Sequence, residues 1–390
     1  MNPAASGLPA GRALTTRYLD FWMLGGASIL IWLVMFGLQG FRADHWAIDH
    51  HFRNIFAITT TLALIANHPH FMASYKLAYV NGGWPFVVRH WFQLILVPVL
   101  LVCLFLCSYV SFTMPTQAHP LVTSVNGLCE ALGMRTRIGN SENMGAELLS
   151  YGVVFMFMTV GWHYAKQVYG CMMVYANYDQ YPLDPLQRAA LRWNLYGIWW
   201  TNFFAAFSTE GFGSYFGLKY YYLALPRALV TLSWAYLGVT FAVASYRVFY
   251  RNYKEKGRLP SLNMLVPYVS LHLWWLPVFY QAEFYLLVPL FHAIQYLVFV
   301  YKIEANKLRE ERPQSMQWRG TLIALGLVLA GYCSFEYFPN TIDVMMRNRV
   351  VLNTWFVFIC AQIFINVHHY FIDNVLWRFN NQDVKRYLLA

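Results

Sequence analysis

Six histidines of this 390-residue chain fall inside long apolar segments: His68 and His70, His163, His292, and the adjacent pair His368 and His369. An ionisable side chain in hydrocarbon is costly, so by default it faces a bundle interior and marks function. Histidine is also the commonest metal ligand, and it binds as the neutral imidazole that an apolar interior tolerates best. All six are candidate ligands of one shared metal site. For any one of them taken alone, a hydrogen bond to a neighbouring helix is the competing reading. Imidazole ligation suits iron, copper or zinc, and the scarcity of carboxylates in these segments argues against magnesium or calcium.

Polar neighbours accompany the histidines at helical spacing. Lys166 and Gln167 follow His163 by three and four residues, and Gln295 and Tyr296 follow His292 at the same offsets. Gln362, Asn366, His369 and Asp373 form one stripe, and Asn67 and Ser74 extend the patch around His68 and His70. Residues three or four apart share a helix face. Metal-bound imidazoles usually donate their second N–H to an amide, carbonyl or carboxylate, so Gln167, Gln295 and Asn366 are expected to orient ligands. Lys166, Tyr296 and Asp373 are expected to take part in the chemistry. Asp373 reads equally as an orienting group, a direct ligand, or a helix-end partner of Arg378.

Local geometry divides the pairs. Adjacent His368 and His369 point about 100° apart on a helix, so one is expected to bind metal and the other to orient or transfer protons, unless two ions are held. His68 and His70 flank Pro69, whose missing N–H weakens the helix there and favours a kink that turns both rings inward. His45, His50 and His51, with Asp44 and Asp49, read as a solvated loop or a weak metal site. His90 and His119 read as interfacial, and His272 is a further candidate for the cluster.

The segments that must position these residues are those of a membrane protein. Only 12% of residues are charged and 58% are hydrophobic, with several apolar runs of about 20 residues, the length that crosses the hydrocarbon layer. The predicted fold is all-α, a polytopic bundle of about ten transmembrane helices forming one integral-membrane domain over 1–390. The expected spans are about 19–41, 54–80, 91–113, 147–176, 190–208, 225–249, 262–281, 284–303, 320–337 and 350–377, with residues 114–146 as an outer loop. Residues 1–18, with no cleavage site before a retained first helix, and 378–390 are expected cytoplasmic tails. Most of the 28 Lys and Arg residues then fall on the inner side, as expected of an inner (plasma) membrane protein with both termini cytoplasmic. The six cysteines lie mostly within apolar runs with no C-x-x-C, so they read as buried apolar side chains. The net charge of +10 serves topology, and no nucleic-acid partner is expected.

In that topology the histidine-bearing spans are all directed from outside to inside. Counted from their inner ends at about 1.5 Å per residue, His292 and His368 lie about 15 Å deep, His70 about 17 Å and His163 about 21 Å. Four helices can therefore deliver imidazoles to one layer. The function expected is a metal-dependent oxidoreductase, with non-haem Fe(II) favoured and copper or zinc as alternatives, acting on a lipidic or isoprenoid substrate. Its expected partners are membrane lipids, that apolar small molecule and an electron-donor protein. The abundance of aromatics (28 Tyr, 30 Phe, 15 Trp) suits such a substrate, although most serve packing and interfacial belts.

The H-x-x-x-H and H-x-x-H-H boxes of the diiron lipid desaturases and hydroxylases are absent. The segments NHPHF, GWHY and VHHYFID resemble instead the bacterial integral-membrane carotene-cleaving dioxygenases of the Brp/Blh type. That resemblance covers only short segments, and it implies an all-helical protein holding one iron by histidines from several spans. Two other readings stand beside it. One is an electron-transfer protein with bis-histidine haem, although the 13- or 14-residue spacing of two-haem helices is missing. The other is a transporter in which the histidines, Lys166 and Asp373 relay protons or pass a metal ion.

Overall fold

Hydrocarbon offers no water to the backbone, so an apolar chain must satisfy its amides within helices. The computed structural model describes residues 12–41, 52–117, 119–131, 133, 138–275, 287–378, 381 and 384–389. Among these the architecture is all-α apart from one hairpin. The principal helices are α1 (17–41), α2 (52–81), α3 (92–110), α4 (Pro120–Ala131), α5 (Met144–Tyr178), α6 (Pro185–Phe207), α7 (227–256), α8 (Leu262–Trp275), α9 (Val288–Glu311), α10 (316–345), α11 (Phe356–Leu376) and α12 (Val384–Leu388). Between α6 and α7, strands β1 (Phe212–Tyr215) and β2 (Leu218–Tyr221) pair antiparallel, with Phe212 opposite Tyr221. The loop histidines His45, His50 and His51, with Asp44 and Asp49, lie outside the described residues, as does the turn at 281–283.

Among the described residues, six helical segments are long and apolar enough to cross a membrane: Arg17–Val34, Phe92–Val110, Met144–Tyr178, Arg227–Glu255, Gln317–Met345 and Phe356–Leu376. They divide sharply by burial. In α5 and α11 the most apolar stretch is 67% and 72% buried, against 11–28% for the other four. Two central helices are therefore wrapped by helices whose apolar faces point outward. The segment 114–146 is not bare loop: it contains α4, and Asn126 ties its far end down by accepting from Ile138 N (2.8 Å) and donating to Ile138 O (2.9 Å).

The central helices are fixed at their starts. Asn143 caps α5, its side chain accepting from Ala146 N at 2.8 Å. Trp355 cannot cap α11, and the task falls to Asp343, fully buried on α10. Its carboxylate accepts from Val357 N and Phe358 N, both at 2.8 Å, and from Asn348 Nδ2 at 2.7 Å. Two orphan amides of the first turn are thereby satisfied by a charge of the sign that a helix start favours.

Two glycines allow the approaches that the bundle needs. Gly25 (φ +155°) kinks α1, and a Cβ there would meet Ser270 Oγ of α8 at 2.7 Å. At Gly331, α10 presses on α2 so closely that a Cβ would meet His68 Cβ at 2.7 Å.

Candidate metal centre

Four helices each present an imidazole and, four residues later, a polar side chain on the same face: His70 and Ser74 on α2, His163 and Gln167 on α5, His292 and Tyr296 on α9, His369 and Asp373 on α11. Their contacts advance together along the chains. The His70 and His369 rings lie 4.9 Å apart, and Ser74 Oγ donates to Asp373 Oδ1 at 2.8 Å. The His163 and His369 rings are 4.7 Å apart, and Lys166 Nζ donates to Asn374 Oδ1. His292 meets His163, and Tyr296 OH donates to Asp373 Oδ1 at 2.9 Å. At the site the four helices therefore run in the same direction and carry their imidazoles in one layer.

Within that layer two sets of donor atoms are close enough to hold an ion: His70, His292 and His369, and His163, His369 and Asp373, the atoms of each set lying within 4.8 Å of one another. The sets share His369, and His163 Nε2 lies 3.0 Å from His292 Nε2, so they form one five-donor cluster. Asp373 Oδ2 is 3.4 Å from His369 Nε2 and 3.8 Å from His163 Nε2. Around an ion with bonds of about 2.0–2.1 Å, neighbouring ligand atoms sit about 2.9–3.4 Å apart, the range into which the two shorter separations fall. All five residues are buried, none exposing more than 8% of its surface. Among the described residues, His70 Nε2, both ring nitrogens of His369, His292 Nδ1 and Asp373 Oδ2 have no hydrogen-bond partner. Buried polar atoms are rarely left so, and a cluster of them facing one another is what a cation would satisfy.

Local structure aims these donors. Ahead of Pro69, residues Ala63–Asn67 widen into a π-helical turn, and His70 Nδ1 bonds the carbonyl oxygen of Asn67. A carbonyl only accepts, so Nδ1 carries the proton and Nε2 keeps its lone pair for the cluster. The rings of Tyr164 and Tyr370 lie against His292 and His163, with centroids 4.2 and 4.7 Å apart. Asp373 is held by one oxygen only: Oδ1 takes the Ser74 and Tyr296 hydroxyls, whose oxygens also touch each other, and Trp377 Nε1 donates to Tyr296 OH at 3.1 Å. Oδ2 is left facing His163 and His369 rather than paired with Arg378, which bonds the carbonyl of Asn374.

Several expected site residues are placed otherwise. His68 does not turn inward with His70; its ring stacks on Phe335 (4.4 Å, 6°) where α10 closes on α2. His368 points away from its neighbour His369, between Tyr75 OH on Nδ1 (3.0 Å) and Tyr79 OH on Nε2 (3.2 Å). His272 bonds the Tyr268 carbonyl and Asn194, outside the cluster. Gln167 and Gln295 serve backbone rather than imidazole N–H groups. Gln167 donates to the His292 carbonyl (3.0 Å) and to Gln295 Oε1 (3.2 Å), while Gln295 donates to the Leu24 carbonyl beside the α1 kink. Asn366 accepts from Tyr370 OH at 3.0 Å and so steadies the ring against His163. Lys166 lies over the Trp162 ring and bonds Asn374, one turn from the cluster. Tyr370 is not among the residues the sequence singles out, and Ser74 is marked there only as an extension of the polar patch around His68 and His70. Ser74 does repeat the four-residue offset of the other three helices, which is the signal that marks it.

A cavity of about 320 Å³ adjoins the cluster, bounded by His163, Tyr296 and Asp373 at one end and by Arg378, Val384 and Leu388 at the other. Comparison with known proteins yields no matching family model, curated protein or solved structure.

Proposed function

We propose that this chain is an integral-membrane, metal-dependent oxidoreductase that holds one ion by His70, His163, His292, His369 and Asp373 and acts on an apolar, lipidic or isoprenoid substrate. The observation that carries the reading is the convergence of five buried donors from four helices, with their free atoms turned toward one another. His163, His369 and Asp373 form a two-histidine, one-carboxylate set, the donor combination of non-haem Fe(II) oxygenases, which favours iron over copper or zinc. The adjoining cavity gives a substrate access to the His163 and Asp373 edge of the cluster. The reaction class that fits is oxidation of an apolar substrate by dioxygen, with a protein electron donor where the stoichiometry requires one. Haem fits less well, because a macrocycle needs a slot as wide as itself between its axial imidazoles, and here neighbouring rings lie 4.7–5.3 Å apart.

The same reading places the chain in an inner (plasma) membrane with ten crossings and cytoplasmic termini. Purified protein analysed for metals and by optical spectroscopy is expected to hold one iron per chain and no Soret band. A Soret band would establish the haem reading. Active protein free of metal would sink both.

A further inference from the structure

The cavity beside the cluster carries more than access. On α5 its lining recurs on one face from His163 to Val174, a stripe about 16 Å long that leads toward the C-terminal ends of α5 and α11. Between those limits the walls are mainly apolar, with Val174, Phe299 and Trp377 among them. Two cations join this lining, Lys166 partway along and the exposed Arg378 at the far end. Among the described residues neither is in a salt bridge. Lys166 bonds a neutral amide, and among the described residues Arg378 engages Nε alone, on the Asn374 carbonyl, which leaves its terminal nitrogens for a ligand.

We propose, building on the function above, that this cavity binds an amphiphile with an anionic head group, carboxylate or phosphate, the head lying between Lys166 and Arg378 and the apolar chain reaching the cluster. The orientation follows from charge. At the deep end an anion would meet Asp373, whereas a guanidinium grips a carboxylate or phosphate through paired N–H groups. The apolar walls receive the chain, whose transfer from water is favourable in proportion to the area buried. Arg378 follows Asp373 by five residues, just past the end of α11 at Leu376, so the carbons presented to the cluster are those near the head.

The test is equilibrium binding of palmitate, hexadecyl phosphate and uncharged hexadecanol to the purified full-length protein in nonionic detergent, with the metal content of each sample measured in parallel. The two anions are expected to bind at least tenfold more tightly than the alcohol, and the tighter of them identifies the head group. The double variant Lys166→Gln/Arg378→Gln is expected to lose that preference. Arg378→Lys retains most of it, and Arg386→Gln, which removes the partner of Glu310 outside the cavity, leaves it unchanged. Equal binding of all three probes, or a preference surviving in the double variant, overturns the proposal. A metal-free wild-type protein that still prefers the anions would instead overturn the metal reading and leave this one standing.

Discussion

At the scale of single residues the site divides neighbours that composition treats alike. His369 faces the cluster, Nε2 3.4 Å from Asp373 Oδ2, while His368 beside it is bonded at both ring nitrogens by tyrosines. His70 faces the cluster and His68 packs on Phe335. His163→Ala and His369→Ala are therefore expected to lower metal occupancy at least tenfold, whereas His68→Ala and His368→Ala retain metal; elemental analysis of the purified variants checks both halves. Ser74→Ala removes one of two hydroxyls on Asp373 Oδ1, and losses of about 10- to 100-fold in metal affinity are typical of such supporting contacts. Competition with a chelator of known affinity measures it, and an unchanged affinity would mean that Tyr296 alone orients the carboxylate. The cost of placing polar groups in apolar segments made His70, His163, His292, Tyr296, His369 and Asp373 legible as a group. Rotation about each helix axis was not, because it depends on packing between segments distant in sequence. That is why the roles expected of His68, His368, Gln167, Gln295 and Asn366 differ from their observed contacts.

At the scale of elements, the helices were readable from apolar run length, and each expected span coincides with a helix or part of one among the described residues. Less legible was what holds them in place. Asp343 resembles any polar residue near a helix end, yet it supplies the acceptor for two amides at the start of the helix that carries His369 and Asp373. Asp343→Ala leaves those buried amides unpaired, at a cost of about 1–3 kcal/mol. A lowered unfolding temperature in detergent is the expected result, with Asp343→Asn, which keeps an acceptor oxygen, losing less. The site also hides two of its four helices. Asn67, His68 and His70 in α2, and His292 and Gln295 in α9, lower the hydropathy of helices that fall outside the six most apolar ones, whereas α5 and α11 stay among them.

At the scale of the whole molecule, the co-directional contacts among α2, α5, α9 and α11 constrain the threading of the chain. An odd number of crossings must lie between any two of these helices, as the expected threading of ten spans requires. Reporter fusions after Arg258 and Arg386 are expected to give cytoplasmic signals at both, and a periplasmic signal at either would break that threading. The division between a buried pair of helices and an outward-facing ring carries a different kind of consequence. Positions on α1, α3, α7 and α10 that meet only lipid tails are interchangeable among apolar residues, since hydrocarbon does not distinguish leucine from isoleucine or phenylalanine. Those on α5 and α11 have fixed neighbours on most sides. In a saturation-mutagenesis selection for activity, the chain would read as two long intolerant tracts, near 144–178 and 356–376, with shorter ones around His70 on α2 and His292 on α9, set in a permissive background. Sequences of common descent would drift apart quickly around the ring while keeping those two tracts alike.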